Sequence, residues 1–142
     1  KSLRPQTRIV GVQAAGCAPV NPSLKAGHPV SVPVAQTIAD GIAVKRPGEL
    51  TLPLIQQHVD QVVEVTDDEI AAAQRALARE GIFVEPASAA AAAGLAHLPP
   101  GDGEVVCVLT GHGLKDPDAV PGVDPVRVAP TLEALGRVLG NP

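Results

Sequence analysis

Aromatic chemistry is almost absent from this chain. It has one phenylalanine, Phe83, and no tryptophan, tyrosine or methionine. Stacking of bases on aromatic faces is therefore almost excluded as a binding mode. Runs of positive charge are missing as well, and the formal net charge is -4. A phosphate-backbone partner needs a basic face, so no nucleic-acid partner is expected. No apolar run is long enough to span a bilayer, and none has the form of a signal peptide. No membrane partner is expected. Cysteine is scarce. Cys17 follows a glycine in a small-residue turn, Cys107 lies in an apolar run, and their separation gives no metal-ligand spacing. Both read as small structural thiols, which suits a reducing, cytoplasmic location. An initiating methionine is also missing, so Lys1 reads as an internal residue of a longer gene product.

Small aliphatic residues are abundant. Hydrophobic residues make up 45% of the 142, nearly all of them Ala, Val, Leu and Ile. That is enough for one ordinary core. Arg8–Gln13 and Val62–Val65 read as strands, and Leu50–Val59 reads as a helix with Pro53 in its first turn. Pro22–Gly27 reads as one helical turn stopped by glycine, and Val34–Val44 fits strand, loop or helix. Thr66–Gly81 is the best-specified helix. Thr66 and Glu69 form a capping box, Asp67 and Asp68 suit the positive start, and Ile70, Ala73 and Leu77 share a face. Ile82–Val84 is strand-like. Pro86 fits the first turn of a helix over Ala87–Leu98, which Pro99-Pro100 ends. Val105–Leu109 reads as a strand, Val126–Val128 as an edge strand, and Thr131–Leu139 as a helix. Strands alternating with helices predict an α/β fold: three layers, with a mostly parallel twisted sheet and helices on both faces. Residues 1–142 read as a single partial domain, with Pro117–Pro125 the one place that would tolerate a break.

The stretch Val105 to Asp116 (Val-Val-Cys-Val-Leu-Thr-Gly-His-Gly-Leu-Lys-Asp) carries the functional signal. An apolar run breaks into a glycine-flanked polar turn. In open α/β sheets ligands bind at the carboxyl ends of strands. Gly111 and Gly113 allow close approach of a ligand to the backbone. Thr110 stands where strand becomes turn, so it is the first candidate to touch a small molecule.

Two sets of motifs resemble the pyridoxal-phosphate enzymes of the tryptophan-synthase-β type, fold type II. RIVGVQAAG, SLKAGHPV and TIADGIAVKRPGELTLPLI look like the catalytic domain of threonine dehydratase. GIFVEPASAA and VVCVLTGHGLKDPD look like threonine synthase. The resemblance covers about residues 8 to 120. It implies that Thr110 matches the hydroxyl that meets the pyridine nitrogen of the cofactor. A neutral hydroxyl there leaves that nitrogen largely unprotonated, which suits elimination and replacement at the side chain. Dehydratases usually carry Ser-Gly-Gly at this point, whereas Thr-Gly-His-Gly-Leu-Lys-Asp is the threonine-synthase form. The resemblance also implies what is absent. No lysine sits in the Ser-Phe-Lys context of the Schiff-base lysine, and the phosphate-binding glycine loop and the ring-hydroxyl asparagine are not matched. The family's amino-terminal half is thus missing, and no catalytic residue is assigned. Gln13 stands where several relatives hold a cation with glutamate, so no tightly bound metal is expected.

The residues implied at the cofactor are Thr110, Gly111, Ala39 and Glu85; Thr37, Asp40 and His112 are implied at the wall of the substrate site. Each has a plainer reading. Thr110 can bond local backbone, and Glu85 precedes a helix start, where a carboxylate is favourable by itself. Asp40 can cap a turn and His112 can sit at the site mouth. Lys115 and Asp116 suit a local ion pair that steadies the turn. His28, His58 and His97 read as surface histidines. The expected activity is that of the C-terminal portion of a threonine-synthase-like lyase acting on O-phosphohomoserine, an amino-acid substrate. The alternatives are a threonine or serine dehydratase and a catalytically inactive fragment or assembly module. The chain alone is expected to be inactive. Its open sheet edge invites pairing with another chain, so a homo-oligomer is expected.

Overall fold

The structure of the chain, a computed structural model, describes residues 1–99, 103–115 and 126–140. Its framework is a parallel strand pair with helices packed on it, the expected α/β class. Strand β1 (Val10–Ala14) pairs in parallel with β2 (Gln61–Val65), in a register running from Val10 opposite Gln61 to Ala14 opposite Val65. Asp60 fixes the entry to this register. Its carboxylate accepts the Ile9 N–H at 2.8 Å and the Lys1 ammonium at 2.5 Å. The Ile9 bond and then Lys1 hold the Asp60 carboxyl below its ordinary value. Parallel strands need a crossover, and here it carries helices α1 (Val20–Ala26) and α2 (Thr51–His58). Gln13, at the end of β1, turns its amide oxygen to the Val20 N–H at 3.0 Å and so serves the start of α1.

Helix α3 (Asp67–Arg79) follows β2 directly. Both halves of its capping box are made. The Thr66 hydroxyl accepts the Glu69 N–H at 3.2 Å, and Glu69 accepts the Thr66 N–H at 2.6 Å. Gly81, with φ at +78°, takes the left-handed conformation that ends the helix. Helix α4 (Pro86–Ala93) packs against α3 and continues as a 3-10 turn over Gly94–His97. Its alanines let it lie close to the sheet. A Cβ at Gly94 would come within 2.6 Å of Val12 in β1. The core is built from Ala14, Ala39, Val65, Ile70, Val84, Ala89, Ala90 and Ala93, with Ala73 and Leu77 packed at its margin. Small side chains from sheet and helices thus meet at short range. A last helix, α5, spans Leu132–Val138.

Two expected strands do not form. Residues 105–109 and 126–128 lie outside any strand, and the sheet is two strands wide among the described residues. The apolar pattern of Val105–Leu109 makes burial favourable, but a strand also needs neighbours to take its backbone hydrogen bonds. None of the described residues supplies them, and Val105, Val106 and Val108 stay exposed. The ambiguous Val34–Val44 stretch resolves into loop with a 3-10 turn at Asp40–Ile42. The possible break at Pro117–Pro125 lies outside the described residues.

Candidate functional site

The turn at Thr110–Gly113 is laid across the start of α4. Val84 and His112 form an antiparallel bridge. The Glu85 N–H donates to the Gly111 carbonyl at 3.2 Å, and the Gly113 N–H donates to Phe83 at 3.2 Å. Side chains strengthen the seam. Ser88, only 2% exposed, accepts the Gly111 N–H at 2.6 Å and lies 3.2 Å from the Thr110 hydroxyl. The Glu85 carboxylate packs flat against Gly111, where a Cβ would stand 1.8 Å from its Oε1. With this Glu85 rotamer the position has room for glycine alone, and a larger residue would displace the carboxylate. Lys115 donates to the same Oε1 at 3.3 Å. This ion pair joins residues far apart in sequence; the local pair expected with Asp116 lies outside the described residues.

Thr110, Gly111 and Glu85 are therefore brought together, with Thr110 on the exposed side. Gly41, next to Asp40, faces the same carboxylate from the neighbouring loop. Asp40 itself is exposed and begins the 3-10 turn, its carbonyl accepting the Ala43 N–H at 3.0 Å. His112 is exposed, and its Nδ1 accepts the Leu114 N–H at 3.1 Å. That bond makes the ring a cap for the next turn and leaves Nε2 outward. Thr37 and Ala39 serve the framework. The Thr37 hydroxyl donates to Asp67 at 2.5 Å and accepts the Ala39 N–H at 3.1 Å. The Ala39 methyl is wholly buried in the core, so it has no side-chain surface to offer a ligand.

Three structural roles escaped the sequence reading. Ser88 supports the Thr110 turn. Asp67 pins the Thr37 loop, also accepting the Ile38 N–H at 3.1 Å. His97, read as a surface residue, bonds Glu69 at 2.8 Å. The string EPAS contains Ser88 but not its partner, because the two hydroxyls are separated by 22 positions. Histidine–carboxylate spacing gave no signal either, since Glu69 and His97 lie on different helical segments.

Chemically, the cluster presents one neutral hydroxyl to the open side, steadied from behind. Such a hydroxyl can donate to a neutral aromatic nitrogen. The one lysine amine bonded into the cluster, among the described residues, is engaged by Glu85. A separate apolar groove of about 310 Å³ runs between β1, α2 and the Gly41–Val44 loop, lined by Val12, Ile42, Val44, Ile55 and Val59. It holds none of the candidate hydroxyls or carboxylates. No described helix is long and apolar enough to cross a membrane.

Comparison with known proteins shows the family. The family model described as "Pyridoxal-phosphate dependent enzyme" matches residues 1–111. The chain is 44% identical to threonine synthase of Mycobacterium leprae over 92% of its own length, but over only 39% of that protein. It is 45% identical to L-threonine ammonia-lyase of Geobacter sulfurreducens over 80% of its length and 29% of that protein. The structure of processed threonine deaminase isoform 2 from Solanum lycopersicum superposes with a TM-score of 0.73 at 30% identity, covering 87% of this chain and 39% of that one. The chain thus spans well under half the length of these relatives.

Proposed function

The chain belongs to the pyridoxal-phosphate dependent enzyme family, and from that premise we propose that it forms the C-terminal part of a lyase of the threonine-synthase type. In this reading residues 1–142 are a partial domain. The full-length protein takes O-phosphohomoserine and water to threonine and phosphate. Pyridoxal phosphate, when bound, supplies an electron sink. Thr110 would donate a hydrogen bond to its ring nitrogen. Gly111 lets the Glu85 carboxylate lie against the turn, and the Glu85 backbone and carboxylate hold that turn in place. Asp40 and His112 contribute to the wall on the substrate side, while Thr37 shapes that wall through its bond to Asp67. Ala39 acts only through its backbone. The Schiff-base lysine is not matched in this sequence, so the chain by itself has no activity.

One observation carries the reading. Thr110 is exposed at the end of an apolar run, and its hydroxyl meets Ser88 from behind at 3.2 Å. The threonine-synthase form of the turn, Thr-Gly-His-Gly-Leu-Lys, supports the choice of substrate, as does the 44% identity to threonine synthase of Mycobacterium leprae. The similarity to an L-threonine ammonia-lyase favours a second reading, elimination of water and ammonia from threonine. The two readings are separated by assaying the full-length protein with both substrates. Phosphate release from O-phosphohomoserine is expected. Formation of 2-oxobutanoate from threonine as the only product would assign the protein to the dehydratases instead. The uncovered Val105, Val106 and Val108 fit a surface met by the rest of the protein, and a homo-oligomer is our reading of its assembly.

A further inference from the structure

Ser88 has one proton and two acceptor positions. One acceptor position is taken by the Gly111 N–H at 2.6 Å. The residue is 2% exposed, so water does not serve it. Among the described residues the one acceptor in reach of its proton is the Thr110 oxygen, 3.2 Å away. A buried hydroxyl proton without an acceptor is unfavourable. Ser88 is thus the donor of this pair and Thr110 the acceptor. It follows that the Thr110 proton is released from its neighbour and points to the open side. A hydroxyl so oriented can give a hydrogen bond but is poorly placed to take one along the same direction.

We propose that Ser88 is a positioning residue that fixes the direction of the Thr110 hydroxyl, and through it keeps the cofactor's ring nitrogen unprotonated. This rests on the reading that Thr110 meets that nitrogen. With the order reversed, Thr110 would present a lone pair and favour a protonated ring. Ser88 never touches the cofactor. Its effect travels through one hydroxyl, and the Gly111 bond keeps its own orientation constant.

The test uses the full-length protein loaded with pyridoxal phosphate labelled with ¹⁵N in the ring. In the unmodified protein the ring-nitrogen resonance is expected at the position of an unprotonated, hydrogen-bonded nitrogen. Ser88→Ala is expected to move that resonance, to shift the pH titration of the cofactor absorbance, and to lower kcat roughly tenfold with little change in KM, the scale of one lost hydrogen bond. Thr110→Val is expected to lower kcat at least as much. The double variant is expected to match Thr110→Val alone, because Ser88 acts through Thr110. Losses that multiply in the double variant overturn the proposal. So does a protonated ring nitrogen in the unmodified protein when Thr110→Val still impairs it, a result that leaves the Thr110 contact standing and needs no Ser88 variant. If Thr110→Val changes neither spectrum nor rate, the Thr110 reading itself fails and takes the Ser88 role with it.

Discussion

Val65, Ile70 and Ala89 are wholly buried, whereas Val105, Val106 and Val108 stand 64%, 86% and 69% exposed. The first group belongs to the β1–β2–α3–α4 framework. Its strand pair, capping box and alanine-rich helix face satisfy one another within the chain. The second group leads into the turn that carries Thr110. That stretch docks on the framework through the Val84–His112 bridge, the Ser88 hydroxyl and the Glu85 carboxylate, and has no sheet of its own. The contrast teaches where stability and function are separated in this chain. The framework is held mainly by burial, and the site turn mainly by a few polar bonds to the start of one helix, with Leu109 its apolar contact to the core.

Changes in the framework should therefore cost stability, and changes in the turn should cost function. Ile70→Ala is expected to have the largest effect on folding, about 2–5 kcal/mol for a buried aliphatic truncation, read by denaturant unfolding of the full-length protein. A loss below the cost of a surface substitution would break the comparison from the framework side. Gly111→Ala forces a methyl into the Glu85 carboxylate, whose Oε1 lies 1.8 Å from the Cβ position. The Glu85 side chain must swing off the turn and give up its hold on it, so activity is expected to fall about tenfold, the scale of one lost polar contact, with a nearly unchanged melting temperature. A large loss of stability without loss of activity would show that the turn belongs to the framework.

Smaller effects sharpen the same contrast. Thr66→Ala removes the α3 cap and is expected to cost about 1 kcal/mol, seen as faster exchange of the first-turn amides of α3. The cap should also respond to pH. Glu69 is held below its ordinary value of 4.5, first by the Thr66 N–H, then by the Thr66 hydroxyl and His97. A carboxyl with a lowered folded value stabilises fully above its unfolded value and loses that contribution as pH falls through the folded one. Protection of the α3 first turn is therefore expected to be constant at neutral pH and to decline below about pH 4.5. Unchanged protection through that range would contradict the geometry of the cap. Lys115→Ala removes an ion pair whose lysine is 65% exposed. It is expected to change stability by no more than about 1 kcal/mol, with any larger effect confined to cofactor affinity.

Much of the framework was legible in the residues because its causes are local. Thr66 and Glu69 stand three apart, Ile70, Ala73 and Leu77 follow the helical period, and Gly81 closes the helix. The parallel strands were found through their apolar runs. The expected strand at Val105–Leu109 failed because an apolar run records a tendency to be buried, not the presence of the neighbours that bury it. The bond of Lys115 to Glu85, 30 positions away, carried no local signal. Thr110 and Gly111 were readable as candidates from the break between apolar run and turn. Ser88 was not, because its meaning lies in a partner 22 residues downstream.

By itself, then, the order of residues determined the helix ends, the small-residue core and the identity of the hydroxyl at the turn. These depend on spacing within a few positions, where the chain's geometry is already known. Tertiary structure decided which groups stand behind that hydroxyl, what holds the turn, and that Thr37 and Ala39 face the framework. A hydrogen bond is directional and short, so a partner far along the chain is chosen only when folding brings the two atoms within about 3 Å.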